Sequence, residues 1–261
     1  MLDYIIKDKY GKDGITEMKK IWFTLILSLL LPLAGAELDL TGEKMKQTEK
    51  TAKNLIVLIH GYCKGAKDMQ FWKEALLAEG CDIITPDLPT TYDSFEDCVE
   101  KLIRDIEAAE PEKYENLYIA GHSMGGLMAR EYLQRKKPAN ARRLVCVGTP
   151  HYGSKLADIA LWIPFMGMIH KPLHALKCSA RKTITTPDIP GLEIGVIAST
   201  KNGHWPGRLF LSREADGLVE KSSAIAPDAK AVAFCNVDHV TMMYDPYTAN
   251  LIRRFLETGA F

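Results

Sequence analysis

The sequence lacks a net charge, a long run of like charges and any cysteine–histidine spacing that would indicate a metal site. Its 261 residues carry 33 Lys and Arg against 33 Asp and Glu. Nucleic-acid binding requires a basic surface, so the balance of charges excludes it as the first interpretation. The six cysteines include no CxxC motif. We therefore expect no metal and no other cofactor, and the cysteines do not amount to a disulfide scaffold.

An apolar run long enough to span a membrane, about 20 residues, is also absent near the N-terminus. Residues 21–36 carry no charge, follow Lys19-Lys20 and end in Ala34-Gly35-Ala36. A basic start, an apolar centre and small residues at the end are typical of a secretory signal peptide. We expect cleavage after Ala36, with export to the periplasm or the medium, rather than a retained anchor.

The start of translation has two candidates, Met1 and Met18. Residues 1–17 are mixed in charge and show no apolar periodicity, whereas Met18-Lys19-Lys20 is an ordinary signal-peptide start. Our hypothesis is that the biological start is Met18. Residues 37–261 then form one domain, since hydrophobic residues at 47% and charged residues at 25% are typical of a soluble globule.

The stretch 116–130 predicts a strand, a very sharp turn and a helix around one serine. An apolar run leads into Gly121-His122-Ser123-Met124-Gly125, and an apolar-periodic segment follows. A serine at such a turn adopts a strained conformation and needs small neighbours. The helix then directs unpaired N–H groups and the positive end of its dipole at Ser123. Ser123 is the candidate nucleophile, and a glycine-rich turn with a surface serine is the alternative.

Apolar runs alternate with amphipathic helical segments along the rest of the chain. Ser94 with Asp97, Asp68, and Asp245-Pro246 predict three helix starts. Strands separated by helices pair in parallel. We therefore expect an α/β fold with about six mostly parallel strands and helices on both faces. The expected strands are 55–59, 83–84, 117–120, 144–147, 194–198 and 231–234.

A serine hydroxyl needs a base within hydrogen-bond reach and a carboxylate that holds this base in one tautomer. Asp216 follows the penultimate expected strand and His239 follows the last one. Both should lie at the carboxyl edge of the sheet, where ligands bind. The order Ser, Asp, His is that of a nucleophile elbow, so Ser123, Asp216 and His239 are the expected triad.

Other titratable residues compete for these roles. His122 neighbours Ser123, but adjacent side chains at a sharp turn point apart, and Asp238 cannot easily turn back on His239. His204 lies in a polar loop and is interpreted as a surface residue. The alternatives are His122, His151, His174 and His204 for the base, and Asp87, Asp188 and Asp238 for the acid.

The oxyanion formed on attack needs two preorganised N–H donors. The backbone N–H of Met124, just after the nucleophile, is expected to supply one. The loop after the first strand, His60-Gly61-Tyr62, is expected to supply the other through Tyr62.

Five segments carry a family resemblance: HGY, GHSMGG, GTPHYGS, ADGLV and DHV, in this order between residues 55 and 261. With them the chain resembles the lipase and esterase branch of the α/β-hydrolase superfamily. The resemblance implies a carboxylic-ester hydrolase that works through an acyl-enzyme on Ser123. The short lead before Leu55 departs from the family's eight-strand pattern and resembles the smaller lipases.

Residues 155–191 occupy the place where this superfamily builds its cap, and they interrupt the alternation of strand and helix. We call this segment the cap insertion. Its apolar side chains suit acyl chains, so we expect Trp162, Phe165 and Met166, together with His151, to bind substrate. A helix pair that only covers the core is the alternative, since apolar residues at helical spacing are usually core.

The expected partner is a small ester or lipid with a short to medium acyl chain, with transient contact to a lipid surface. Two other functions stay open. The same triad serves an acyltransferase or a thioesterase, and a non-catalytic lipid-binding protein shares the fold. The sequence leaves the oligomeric state open.

Overall fold

A computed structural model describes residues 53–261, except the side chains of residues 205 and 206. The predicted signal peptide, its cleavage after Ala36 and both candidate start sites lie outside the described residues. The expected domain begins at residue 37, so its first residues lie outside them as well.

One sheet of six strands organises the described part of the chain, in the order β2-β1-β3-β4-β5-β6. Each neighbouring pair of strands is parallel. The strands are β1 (Asn54–Ile59), β2 (Cys81–Ile84), β3 (Asn116–His122), β4 (Ala141–Val147), β5 (Glu193–Ser199) and β6 (Ala231–Cys235). Each predicted apolar run forms a strand, and the predicted fold class is confirmed.

Helices connect the strands. The α-helices are α1 (Gln70–Leu76), α2 (Phe95–Glu107), α3 (Met124–Lys136), α4 (Lys155–Ala160), α5 (Met166–Ile169), α6 (Trp205–Phe210), α7 (Lys221–Ala224) and α8 (Pro246–Thr258). Short 3-10 helices are Ala66–Met69, Pro111–Lys113, Lys171–Leu176, Cys178–Ala180 and Thr241–Met243. Four of these thirteen, α4, α5 and the 3-10 helices at 171–176 and 178–180, build the cap insertion.

Two of the three predicted helix starts are confirmed. Ser94 caps α2 by accepting the N–H of Asp97, and Asp245 caps α8 by accepting the N–H of Thr248. The start at Asp68 is wrong, because this residue lies inside a 3-10 helix and its carboxylate accepts the N–H of Gly65 at 2.9 Å.

The sheet has a hydrophobic core on each face. Helices α2 and α3 cover one face, where Leu102 and Met128 are fully buried. Helices α1 and α8 cover the other face, where Trp72 and Phe255 are fully buried. A sheet buried on both faces explains why its strands are continuous apolar runs.

Within residues 53–261, no helix has the length and apolar character needed to cross a membrane. The same residues contain no group of three or more His, Cys, Asp or Glu that could hold a metal ion. All six cysteines lie in this range as free thiols, and Cys146 is buried in β4.

The first turn of α3 lies against the end of β1. A Cβ atom on Gly125 would stand 2.3 Å from the carbonyl oxygen of Ile59 and 2.7 Å from that of His60. Both neighbours are backbone atoms, so they cannot rotate away. Glycine at position 125 is therefore what allows the helix to approach the strand.

We expect Gly125→Ala to lower the free energy of unfolding by about 1–3 kcal/mol, the usual cost of overpacking a buried contact. Urea denaturation monitored by circular dichroism measures the change. Gly80→Asn is the matched control, because no atom lies within 4 Å of a Cβ there and Asn tolerates positive φ. Equal losses in the two variants would contradict the close-approach argument.

Candidate active site

Ser123 stands at the junction of β3 and α3. Its backbone has φ 53° and ψ −123°, a conformation that a non-glycine residue rarely adopts. The Ser123 N–H donates to the carbonyl of Val147 at 2.8 Å, which ties the turn to the end of β4. Strain of this kind persists only where the surroundings hold it, and it is typical of functional sites.

Asp216 and His239 form a buried pair. Asp216 Oδ2 lies 2.6 Å from His239 Nδ1, and both side chains are almost wholly inaccessible. The second oxygen of the carboxylate accepts the N–H groups of Leu218 at 2.9 Å and Val219 at 2.7 Å. Gly217, with φ +102°, lets the backbone fold around this oxygen.

The segment that carries His239 is fixed by its backbone as well. The His239 N–H donates to the carbonyl of Asp216 at 2.9 Å. Its own carbonyl accepts a hydrogen bond from His122 Nε2 at 2.8 Å, and the two imidazole centroids are 4.8 Å apart. Because Nδ1–H is directed at the carboxylate, Nε2 carries the lone pair that a base needs.

Ser123 and His239 line the same cavity, with His122 adjoining both. Among residues 53–261, no hydrogen bond joins the Ser123 hydroxyl to His239. Such bonds are often long in an enzyme without substrate and shorten in the complex. The structure therefore brings the three predicted residues together and completes one of the two hydrogen bonds of a triad.

The competing residues are engaged elsewhere. Asp238 accepts the N–H groups of Val240 and Thr241 at 3.1 Å each, so its carboxylate turns away from the imidazole beside it. Asp87 accepts the N–H of Ala66 at 2.8 Å. Asp188 pairs on the surface with Lys137. His204 is one-third exposed, as expected of a loop residue, although it lies 3.2 Å from Asp238.

The loop after β1 adjoins the nucleophile, since a Cβ on Gly61 would lie 2.9 Å from Ser123 Cβ. His60 is buried and accepts the N–H of Leu88 at Nε2, 3.0 Å away. The Thr90 hydroxyl donates to the Gly61 carbonyl at 2.9 Å. These contacts hold the strand-to-loop turn in one conformation.

The two N–H groups predicted as oxyanion donors are not engaged by the described part of the protein. In the described part of the chain, neither the N–H of Tyr62 nor that of Met124 donates to a protein acceptor. Met124 is the first residue of α3, where an N–H has no partner within the helix. Both groups belong to segments that contact Ser123.

The cavity beside Ser123 has a volume of about 390 Å³. Leu218 and Val219, from the loop after Asp216, form part of its wall. Lys64 is the one permanently charged side chain on the described wall. The cap insertion supplies most of the apolar surface: Leu156, Ala157, Ala160, Met166, Leu173 and Leu176.

Of the four predicted substrate-binding residues, the structure brings only Met166 to this cavity. Trp162 and Phe165 are 88% and 70% exposed and point to solvent. His151 is buried, and its Nδ1–H donates to the carbonyl of Ala224 at 2.8 Å. It lines a separate cavity behind α3. Helical spacing alone could not show which side of such short helices faces the cavity.

Sequence reasoning missed His170, at the end of α5. The Tyr62 hydroxyl and His170 Nδ1 form a hydrogen bond at 2.8 Å, and both side chains line the cavity. Burial raises the pKa of Tyr62, so the phenol keeps its proton. The contact spans 108 residues of chain, and no local pattern in the sequence indicates it.

A family model described as the α/β-hydrolase fold matches residues 54–168. These residues include the loop after β1, the turn at Ser123 and the start of the cap insertion. The chain has the α/β-hydrolase fold. No curated protein was found to match this chain.

Solved structures share the fold at low sequence identity. The mature lipase BlEst2 of Bacillus licheniformis is 22% identical, with a TM-score of 0.64 over 79% of this chain and 91% of the lipase. The metagenomic carboxyl esterase MGS0156 is 17% identical, with a TM-score of 0.62 over 79% and 74%. Phospholipase PlaB of Legionella pneumophila is 14% identical, with a TM-score of 0.58 over 79% and 59%.

Three histidines of this chain are buried and neutral. Burial lowers the pKa of His60, and it lowers that of His122 well below its ordinary value. The pKa of His151 falls to about 3, chiefly through burial and next through the charge of Arg130. Below about pH 6.5 these histidines bind protons in the unfolded chain but stay neutral in the folded protein.

We expect these histidines to make their full contribution to the free energy of unfolding above about pH 6.5. As the pH is lowered, the free energy of unfolding should fall by up to about 1.4 kcal/mol per pH unit for each such histidine. His151→Asn keeps a hydrogen-bond donor near Ala224. It should reduce the slope of the free energy of unfolding against pH by about the contribution of one histidine. Urea unfolding at a series of pH values between 7 and 5 measures the slope. An unchanged slope in the variant would contradict the assignment.

Proposed function

We propose that this α/β hydrolase cleaves carboxylic esters that carry apolar acyl chains, through an acyl-enzyme on Ser123. One observation carries the proposal: His239, 2.6 Å from the buried carboxylate of Asp216, lines one apolar cavity together with a serine held in a strained turn. A serine hydroxyl is a weak nucleophile without such a base, and no surface serine needs this arrangement.

In the first step the Ser123 oxygen attacks the ester carbonyl while His239 Nε2 takes the hydroxyl proton. Asp216 stabilises the imidazolium that forms, and it keeps the ring in the tautomer that leaves Nε2 unprotonated. The two N–H groups donated to the other carboxylate oxygen hold Asp216 in place. The carboxylate thus needs no rearrangement during the reaction.

The tetrahedral intermediate carries its negative charge on the former carbonyl oxygen. The free N–H groups of Tyr62 and Met124 are the donors proposed to bind it, aided by the positive end of α3. When the intermediate collapses, the imidazolium gives its proton to the leaving alcohol. Water then attacks the acyl-enzyme with His239 as the base, and the acid is released with Ser123 regenerated.

The wall of the cavity supports an acyl chain as the group recognised. Its apolar surface comes mainly from the cap insertion, and its volume of about 390 Å³ lies in the lower part of the range for small-ligand sites. A short to medium chain fits that volume better than a peptide. The solved structures that share the fold include proteins described as a lipase and a carboxyl esterase, in agreement with this substrate class.

We expect Ser123→Ala to abolish labelling by a fluorophosphonate probe and to remove ester hydrolysis. Asp216→Asn should lower kcat by a factor of about 10⁴, because the imidazole is then held in the wrong tautomer. Gel fluorescence and p-nitrophenyl butyrate hydrolysis measure the two effects. Labelling that persists in Ser123→Ala would assign the nucleophile to another residue.

Acyl-chain selectivity tests the cavity itself. Ala160→Trp should fill part of the wall and shift the preference along a p-nitrophenyl ester series toward shorter chains, by about tenfold in kcat/KM for octanoate against acetate. Trp162→Ala is the matched control from the same insertion, since Trp162 lies outside the cavity. A parallel profile for all three proteins would show that the acyl chain binds elsewhere.

A further inference from the structure

A second cavity, of about 310 Å³, lies on the α3 side of the sheet. Its wall comes from α3, from His151 and from residues 181–185, the segment that leads from the cap insertion toward β5. It shares no lining residue with the cavity beside Ser123. Polar groups dominate this wall, whereas the catalytic cavity is apolar.

Arg181 is the cation in this cavity that lacks a contact counter-ion. Its Nε–H donates to the carbonyl of Ala175 at 2.8 Å, and its guanidinium lies 4.8 Å from the centre of the Phe95 ring. No carboxylate oxygen of the described residues lies within 4.0 Å of it. Partial burial lowers the pKa of Arg181.

Arg181 is partly buried, and a cation withdrawn from water is more stable beside a counter-ion. Glu131, which lines the same cavity, partly offsets the effect of burial on Arg181. Glu131 is itself engaged by Arg135 at 2.8 Å and is partly exposed to solvent. It therefore leaves most of the Arg181 charge uncompensated.

Arg130 supplies a second guanidinium to the wall. Its two terminal nitrogens pair with Asp228 at 2.9 and 2.8 Å, so its charge is balanced within the protein. Its Nε, however, is buried without an acceptor. His151 Nε2 is likewise buried without a partner, on a side chain only 2% exposed.

Two threonines add hydroxyl groups to the wall. Thr183 and Thr185 line the cavity and are exposed to solvent, and their hydroxyls make no hydrogen bond to the described protein. They can donate to an anionic oxygen. His151 directs Nδ1–H at a carbonyl, so its Nε2 can accept a hydrogen bond from a hydroxyl of a ligand.

We propose that this cavity binds a small oxyanion of the carboxylate or phosphate class, with Arg181 as its counter-ion. The planar guanidinium presents paired N–H donors that match two oxygens of either anion. The threonine hydroxyls complete the set of donors. The site is independent of ester hydrolysis, since it contains none of the residues placed in the catalytic cavity.

Thermal unfolding of the full chain tests the site. Sodium phosphate and sodium acetate are titrated separately, with sodium chloride at matched ionic strength as reference. A ligand that binds only the folded state raises Tm in a saturable manner. We expect at least one of the two oxyanions to do so. The anion that acts, phosphate or acetate, distinguishes the two chemical sources.

Arg181→Gln should weaken the affinity derived from this titration about tenfold or more, as loss of a charged hydrogen-bond donor usually does. Lys182→Gln removes the neighbouring charge, which lies outside the cavity, and should leave affinity unchanged. Ser123→Ala should also bind as the parent does. If Arg181→Gln does not fold, Arg181→Lys and Thr185→Val replace it, with the same expected direction.

Two results would overturn the proposal. In the first, neither phosphate nor acetate raises Tm above the chloride reference, which leaves the cavity with water only. In the second, binding is equally strong after the Arg181 substitution, which places the anion elsewhere. Neither result bears on ester hydrolysis, which is measured separately on Ser123→Ala.

Discussion

The approach of helix α3 to the ends of β1 and β3 is the constraint on which the site depends. Gly125 permits it, because the carbonyl groups of Ile59 and His60 occupy the space that a side chain would need. The same approach forces Ser123 into its positive φ and sets the first N–H of the helix beside the loop after β1. The candidate nucleophile, the helix dipole and the candidate donor in the loop thus share one geometric cause.

Local patterns predicted the fold and the residues of the buried pair, while tertiary contacts decided the rest. Apolar runs indicate strands that are buried on both faces of a sheet. Ser94 and Asp245 indicate helix starts, because their side chains accept the first backbone N–H groups of the helix. Asp216 could be chosen because chain order and sheet topology fix its position. The side chains of Trp162 and Phe165 could not be placed, since short helices set between prolines and glycines have no fixed face.

Four histidines near the site differ in the group that one ring nitrogen contacts. His239 Nδ1 contacts the Asp216 carboxylate, and His122 Nε2 donates to the carbonyl of His239. His60 Nε2 accepts the N–H of Leu88. His151 meets the carbonyl of Ala224 and faces the other cavity. Residue type and sequence spacing do not distinguish these environments. His151 was therefore wrongly predicted to bind substrate, and the contact of His122 with the His239 carbonyl was not predicted.

The bond between the Tyr62 phenol and His170 has a consequence for how substrate enters. Tyr62 carries both this link to the cap insertion and the backbone amide proposed as an oxyanion donor. A movement of α5 away from the cavity would have to break the hydrogen bond between Tyr62 and His170. Opening of the cavity at α5 would therefore also free Tyr62 in the loop after β1.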